Sequence, residues 1–271
     1  MTLLRTQNAV AALCWLGLSA AVITAQAQTT TVWNPAANPS GTGLWSEGAN
    51  WTGATVPDSS YRAVFNVPGA IPCVINNAAT ISQLVIGDNG PGALTLASGG
   101  SLTTGNVWTG IGYNNTGSLT LQSGSSATFG EHLWVGFEPT GIGTLTLSGG
   151  TATVSGMFGL GWNGGTGSAE INAGTLNLLQ WHPTDSIKGN SILDLSGGQV
   201  VITGDRVSSV DAFIAAGKIT GYGGSGTVER LFDSDANTTT LVAVVPEPAT
   251  LGLLSLGLFV AAAGRLWRRT T

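Results

Sequence analysis

Through the middle of the chain, apolar and polar positions alternate in short bursts that return at a near-constant spacing. Leu94-Thr95-Leu96, Leu119-Thr120-Leu121 and Leu145-Thr146-Leu147 are the clearest copies, with Ala169-Glu170-Ile171 and Leu193-Asp194-Leu195 as weaker ones. Their first positions fall 25, 26, 24 and 24 residues apart. Apolar-Thr-apolar puts two apolar side chains on one strand face and threonine on the other, so each copy predicts a short strand with one buried face. A second phase runs with the first: an apolar residue precedes glycine at Ile86-Gly87, Ile111-Gly112, Val135-Gly136 and Leu160-Gly161. One period then holds three short strands: one at the Leu-Thr-Leu motif, one around 101–104 or 151–154, and one around 107–111 or 133–137. Glycines separate them, including Gly99, Gly124, Gly150, Gly174 and Gly198, three residues after each motif, as a chain that must bend sharply requires.

Three strands per coil of about 25 residues, stacked on like coils, describe an all-β parallel β-helix, in which each coil leaves its edges unpaired until the next one docks. Repeats of this length are also used by leucine-rich solenoids, but their longer leucine and asparagine signature is missing, and no helical periodicity fills the second half of a period. A β-sandwich or jelly roll stays open, because short strands with turn signals suit it too.

The two ends of the chain are patterned differently. Arg5 precedes the apolar run 9–23, which closes on Ala25-Gln26-Ala27. A small residue at Ala25 and Ala27 is the pattern of signal-peptide cleavage and predicts a mature start at Gln28. Cys14 follows Leu13 where a lipoprotein signal wants a small residue, so no lipid is expected there. At the other end, Pro246, Glu247 and Pro248 lead into 249–264, 16 residues without a charge, and then Arg265, Trp267, Arg268 and Arg269. That run makes about 24 Å of helix, against a hydrocarbon core of about 30 Å. The arginines favour a cytoplasmic C-terminus, with everything before Val245 on the far side of the inner membrane. Pro248 donates no backbone hydrogen bond and biases Glu247 away from helix, which suits an exposed processing site. The expected layout is signal peptide 1–27, N-terminal cap 28–80, β-helix 81–204, C-terminal cap 205–244 and sorting anchor 245–271.

The Pro-Glu-Pro triplet, the single apolar helix and the arginine cluster together resemble the PEP-CTERM sorting signal of Gram-negative bacteria. That resemblance implies recognition and cutting near the triplet by a membrane-embedded exosortase, transient anchoring in the inner membrane, and delivery to the cell surface or extracellular matrix, in systems linked to exopolysaccharide and biofilm. Gly-Ser-Leu-Thr-Leu-Gln-Ser-Gly at 117–124 and Gly-Thr-Leu-Thr-Leu-Ser-Gly-Gly at 143–150 are similar to the passenger-associated repeats of autotransporters and PEP-CTERM proteins. They imply a right-handed β-helix and no particular activity.

Composition narrows the function further. Glycine supplies 41 of 271 residues and charged residues only 8%, against a usual share of about 25%. From Gln28 to Val244, acidic residues outnumber the five basic ones (Arg62, Lys188, Arg206, Lys218, Arg230) more than two to one, and 63–182 holds neither lysine nor arginine. Nucleic acid is therefore not an expected partner. Removal of the signal peptide leaves Cys73 alone, so no intramolecular disulfide can form and the thiol is expected in the core.

The flanks read as caps. Trp33, Trp45 and Trp51 supply aromatic bulk over the first coil, with sugar binding as their other use. Apolar residues at 207, 210, 213 and 214 before Gly217 predict a short amphipathic helix under the last coil. Strands are expected at 218–221 and 239–244.

Candidate chemistry is sparse. Coils 81–180 carry four carboxylates (Asp88, Glu131, Glu138, Glu170) and no lysine or arginine, whereas β-helix lyases resemble one another in pairing clustered aspartates with a basic residue. Glu131 and Glu138 are the one pair whose spacing would suit paired-carboxylate hydrolysis, but Glu138 precedes Pro139 in a turn. His132 and His182 are 50 residues apart, two coils, too far for joint zinc ligation. No catalytic residue, metal or cofactor is expected. Trp108 and Trp134 lie two residues before Gly110 and Gly136, with Phe158 or Trp162 and then Trp181 continuing the series. Such a ladder is either solenoid core or a set of flat faces for sugar rings, with Asn114, Asn115, Asn163 and Thr166 in nearby turns. The expected function is a non-enzymatic surface or matrix protein, structural or adhesive, in contact with exopolysaccharide; a glycan-binding module through Trp108 and Trp134 is the alternative, ahead of a polysaccharide-degrading enzyme.

Overall fold

The computed structural model describes residues 28–37, 41–68 and 71–245. The expected signal helix and membrane helix lie outside them, and among the described residues no helix is long and apolar enough to cross a membrane.

Strand β1 (Thr29–Val32) runs parallel to β2 (Tyr61–Phe65). With β3 (Cys73–Ile75), β4 (Ala78–Ile81) and β5 (Gln83–Ile86) the chain begins a three-strand coil that it then repeats. The next coil is β6 (Gly92–Leu96), β7 (Ser101–Thr104) and β8 (Thr109–Ile111). After it come β9 (Thr116–Gln122), β10 (Ser126–Phe129) and β11 (Leu133–Val135). In the following coils pairing continues around the corners, giving the long strands β12 (Ile142–Leu160) and β13 (Thr166–Gln180), whose register breaks at 147–151 and 154–157 mark the bends. With β14 (Ile192–Leu195) and β15 (Gln199–Thr203) the solenoid reaches about six turns.

The coil-to-coil pairings are parallel and form three ladders, in register apart from the shifts at the bends of β12. The first joins Cys73, Leu94, Leu119, Leu145, Ala169, Leu193 and Ile219. The second joins Ala79, Leu102, Ala127, Ala152, Leu176 and Val200. The third joins Phe65, Ile86, Ile111, Val135 and Leu160, with Ile187 bridging at the end. The ladder therefore extends upstream of residue 81: Cys73–Ile75 already pairs with Leu94–Leu96. These residues are buried, and the apolar positions of each Leu-Thr-Leu motif line one continuous core. Each such leucine contributes about 1.5–3 kcal/mol over an exposed one. Threonines 95, 120 and 146 point the other way, as alternation demands.

The corners rely on glycine at a few positions. After the third strand of a coil, Gly87, Gly112, Gly136 and Gly161 all take positive φ, between +67° and +79°. At the other corner Gly99, Gly124 and Gly174 do the same, but in the third copy the left-handed residue is Gly149 instead of Gly150. Gly198 has no positive φ; it serves by close approach, since a Cβ there would lie 2.6 Å from the Ile171 side chain.

Trp33, Trp45 and Trp51 close the first coil against Phe65. Trp51 meets Trp33 at 5.1 Å and Trp45 at 4.6 Å between ring centres, both edge to face. Their indole N–H groups donate to backbone, Trp33 to Ile71 O at 2.8 Å and Trp51 to Trp45 O at 2.9 Å. All three are at most 2% exposed, which removes their faces from any sugar. Cys73 is buried beside this cap, and burial pushes its thiol pKa well up, so the group is held protonated and unreactive.

At the far end α1 (Val207–Ala215) tucks Val210 and Phe213 under the last coil and stops before Gly217 at φ +67°. Strand β16 (Ile219–Gly221) adds to the first ladder. Strands β17 (Thr227–Asp233) and β18 (Thr238–Val244) form a hairpin, and β18 pairs antiparallel with β15. That reversal ends the second ladder. Strand β17 was not expected, because its sequence belongs to no repeat.

Substitution of Gly136 tests the corner argument. Its Cβ would overlap the Thr166 carbonyl of the next coil, on top of about 1–2 kcal/mol for a left-handed backbone. Gly53 also has positive φ, but nothing lies within 4 Å of its Cβ position. In urea unfolding, Gly136→Ala should lower the midpoint far more than Gly53→Ala; equal shifts would contradict the close-approach reading.

Candidate functional site

The outer face of the third ladder carries the aromatic residues that the core does not use. Leu133 and Val135 point inward, so Trp134 between them points out. Its register partners are Gly110 on one side and Gly159 on the other. The missing side chains make room for the indole: a Cβ on Gly159 would sit 2.6 Å from its ring. Trp134 is thus covered by neighbours, at 7% exposure, without belonging to the core.

A second column stands beside it. The residue after each ladder glycine is Asp88, Tyr113, Phe137 and Trp162 in successive coils. Backbone bonds fix their alignment: Tyr113 N–H donates to Ile86 O at 3.1 Å and Phe137 N–H to Gly112 O at 3.1 Å. Tyr113 and Phe137 are stacked, with ring centres 5.4 Å apart and planes 10° from parallel. Trp108, five residues before Tyr113, joins them at 5.2 Å from Tyr113 and 6.1 Å from Phe137. Trp134 links Phe137, 6.0 Å away, to Trp162, 4.6 Å away. The chain of rings ends where Lys188 Nζ sits 3.8 Å above the Trp162 ring. Trp108, Tyr113, Phe137 and Trp162 are half-buried. Each ring pair contributes about 0.5–1.5 kcal/mol beyond area burial, so the surface also ties three coils together.

Parallel rings 5.4 Å apart are neither superposed, which would bring carbons to about 3.5–4.0 Å, nor coplanar, which would need a wider spacing. They overlap in part, like shingles, and each residue stays half-buried.

Polar groups border the rings. Asn89 and Asn114 exchange bonds between coils, Asn89 N–H to Asn114 Oδ1 at 2.6 Å and Asn114 Nδ2 to Asn89 Oδ1 at 3.3 Å. One coil further, Asn163 Nδ2 donates to Glu138 Oε2 at 2.8 Å. An ion pair brackets the surface at each end, Arg62 with Asp88 at 3.1 Å and Lys188 with Asp185 at 3.3 Å.

The sequence series from Trp108 to Trp181 is divided by the structure. Trp108 and Trp134 do not occupy matching places: Trp134 pairs with Gly110, so Trp108 lies at the level of His132. Gly110 and Gly136 are not equivalent: the equivalent of Gly136 is Gly112, as the Ile111-Gly112 and Val135-Gly136 phase requires. Phe158 pairs with Leu133 and is core; Trp162 is in the surface series. Trp181 packs on Phe213 in the C-terminal cap, its N–H donating to Ser209 Oγ at 3.2 Å. Tyr113 and Phe137 were missed, although their place after the ladder glycine was visible.

The other candidates are held locally. His132 Nδ1 accepts from Met157 N–H at 2.9 Å and lies 3.0 Å from Glu131. His182 Nδ1 accepts from the Asp185 N–H at 3.1 Å. Glu138, in the Asn163 bond, is part of the polar border. Among the described residues no group of three or more His, Cys, Asp or Glu is placed to hold a metal ion.

Residues 244–269 match the PEP-CTERM protein-sorting motif. The motif marks the chain as an exported protein processed by an exosortase and directed to the cell envelope or surface. Pro246, Glu247, Pro248, Arg265, Arg268 and Arg269, which carry it, lie outside the described residues, as do Ala25 and Ala27. No curated protein and no solved structure matches the chain.

The buried and surface tryptophans should respond differently to truncation. Trp51→Ala empties the first coil's cap and should cost about 3–5 kcal/mol. Trp162→Ala removes a half-exposed ring and should cost about 1–2 kcal/mol, roughly its stacking share. Denaturant midpoints followed by circular dichroism distinguish the two, and a Trp162→Ala loss as large as that of Trp51→Ala would place Trp162 in the core.

Proposed function

We propose that the chain is a non-enzymatic surface or matrix protein, structural or adhesive, that associates with exopolysaccharide after exosortase processing, and that the outer aromatic surface makes the contact. The observation that carries this reading is the half-exposed ring series Trp108, Tyr113, Phe137 and Trp162 on a solenoid whose C-terminal neighbour is a sorting motif. The core fills with aliphatic residues, Phe and the cap tryptophans, and these rings are not part of it. Apolar faces with amide groups at their edge suit sugars, which present C–H faces and equatorial hydroxyls together. Export to the cell envelope, where a polysaccharide would be met, supports this reading.

Expression of the full chain in hosts with and without exosortase tests the proposal. Fractionation and intact mass should find the passenger released, with a new C-terminus near Pro248, only when exosortase is present. The released protein should co-sediment with exopolysaccharide and liberate no new reducing ends from it. An uncut, membrane-held chain in both hosts, release into the medium without polysaccharide, or turnover of the polymer would each overturn the reading.

A further inference from the structure

Resting on the reading above, we infer that the aromatic surface takes one class of glycan: a neutral, extended, equatorially linked pyranose chain that lies along the solenoid axis with about one sugar per coil.

Pitch supplies the first argument. Tyr113, Phe137 and Trp162 follow one another in successive coils, and parallel strands repeat every 4.7–4.9 Å or so. A pyranose chain linked equatorially at both ends advances by nearly the same length per sugar. The Tyr113–Phe137 step, 5.4 Å between ring centres, keeps step with such a chain across two coils, and Trp162 follows in the third beyond the tilted Trp134. Axially linked glucans coil, advance more slowly per sugar and fall out of step after one contact.

Charge supplies the second. Within the surface the border groups are Asn89, Asn114, Asn163 and Glu138. Arg62 stands at one end, paired with Asp88, and Lys188, paired with Asp185, lies over the Trp162 ring at the other. A uronate or sulfated chain would meet Glu138 at the centre with no free cation nearby. A neutral chain meets hydrogen-bonding capacity that the coil-to-coil bonds leave unused: Asn163 keeps its carbonyl oxygen and one N–H, and Glu138 keeps one oxygen.

Ring geometry supplies the third. The stacked rings are half-buried, and the tilt of Trp134, 46° to Phe137 and 33° to Trp162, breaks the stack midway. The surface is thus a run of separate partial platforms, suited to successive sugars of one chain and poorly suited to a single flat ligand.

Isothermal titration of the full chain in detergent micelles with β-1,4-glucan oligosaccharides tests the inference, with α-1,4-glucan and polygalacturonate fragments of equal length as comparisons. Affinity should climb from disaccharide to tetrasaccharide and then level off, and the α-linked and anionic fragments should bind at least about tenfold more weakly. The double variant Tyr113→Leu with Phe137→Leu keeps apolar bulk while removing ring faces. It should retain the wild-type circular dichroism spectrum and bind the β-linked tetrasaccharide about tenfold more weakly, the equivalent of about 1.4 kcal/mol. Trp162→Leu provides an independent variant at the other end of the surface and should show the same split. Equal binding of α- and β-linked chains, preference for polygalacturonate, or unchanged affinity in both folded leucine variants would each overturn it. If no oligosaccharide binds while the released passenger still co-sediments with native exopolysaccharide, this inference falls and the broader function stands; loss of co-sedimentation as well removes both.

Discussion

The structure depends on the in-register parallel ladder between coils. Because strand side chains alternate with a period of two, a slip of one residue would turn every Leu-Thr-Leu motif inside out. The register is therefore fixed by the core, and once fixed it superposes equivalent positions of successive coils all along the axis. Columns of like residues follow: Leu94, Leu119 and Leu145 inside, Thr95, Thr120 and Thr146 outside. The glycine corners serve the same constraint, since Gly87, Gly112, Gly136 and Gly161 let each coil turn while pressed against the next backbone.

That superposition also explains the low share of charge. A charged residue in a column faces its equivalent one strand spacing away, and like charges at about 4 Å repel by about 1 kcal/mol even in water. Neutral threonine and asparagine bond along the axis instead. Where two acids do stack, Glu170 over Asp194, their partners show how it is managed. Glu170 accepts from Thr146 Oγ1 at 3.3 Å, while Asp194 accepts from Thr220 Oγ1 at 2.6 Å and Ser196 Oγ at 3.2 Å. The weak charge of the chain is thus in large part a consequence of stacking.

The same logic sets what could be read in advance. The strands of each coil, the helix at 207–215 and the buried fate of Cys73 were legible, because each leaves a local pattern: alternation, helical spacing before a glycine, an apolar neighbourhood. The aromatic surface was not, because in a strand one residue decides between core and exterior. Trp134 and Phe158 look like members of one ladder, yet the register puts Phe158 against Leu133 in the core and Trp134 against two glycines outside. Setting Trp108 beside Trp134 by way of Gly110 put the two tryptophans two residues out of frame and drew the eye from Tyr113 and Phe137, which follow the equivalent Gly112 and Gly136. Strand β17 escaped for another reason: it caps by reversing direction, and a single antiparallel hairpin leaves no period to find.

The join between solenoid and sorting motif carries a last constraint. Strand β18 ends at Val244, where the matched motif begins, and Pro246 follows after one residue. Proline offers no N–H to a ladder and so ends the strand there. From Val244 to Pro248 the chain can reach at most about 14 Å, so on the proposed reading, with the cut near the triplet, exosortase would act close beside the folded hairpin. The aromatic rings lie in the coils of Trp108, Phe137 and Trp162, with the coils of β13 to β15 and the C-terminal cap between them and that cut. Stacking at about 4.8 Å per coil puts at least two coil rises, roughly 10 Å, between the rings and the hairpin. On the proposed reading the surface that meets polysaccharide is therefore already clear of the processing site, and binding does not have to wait for release.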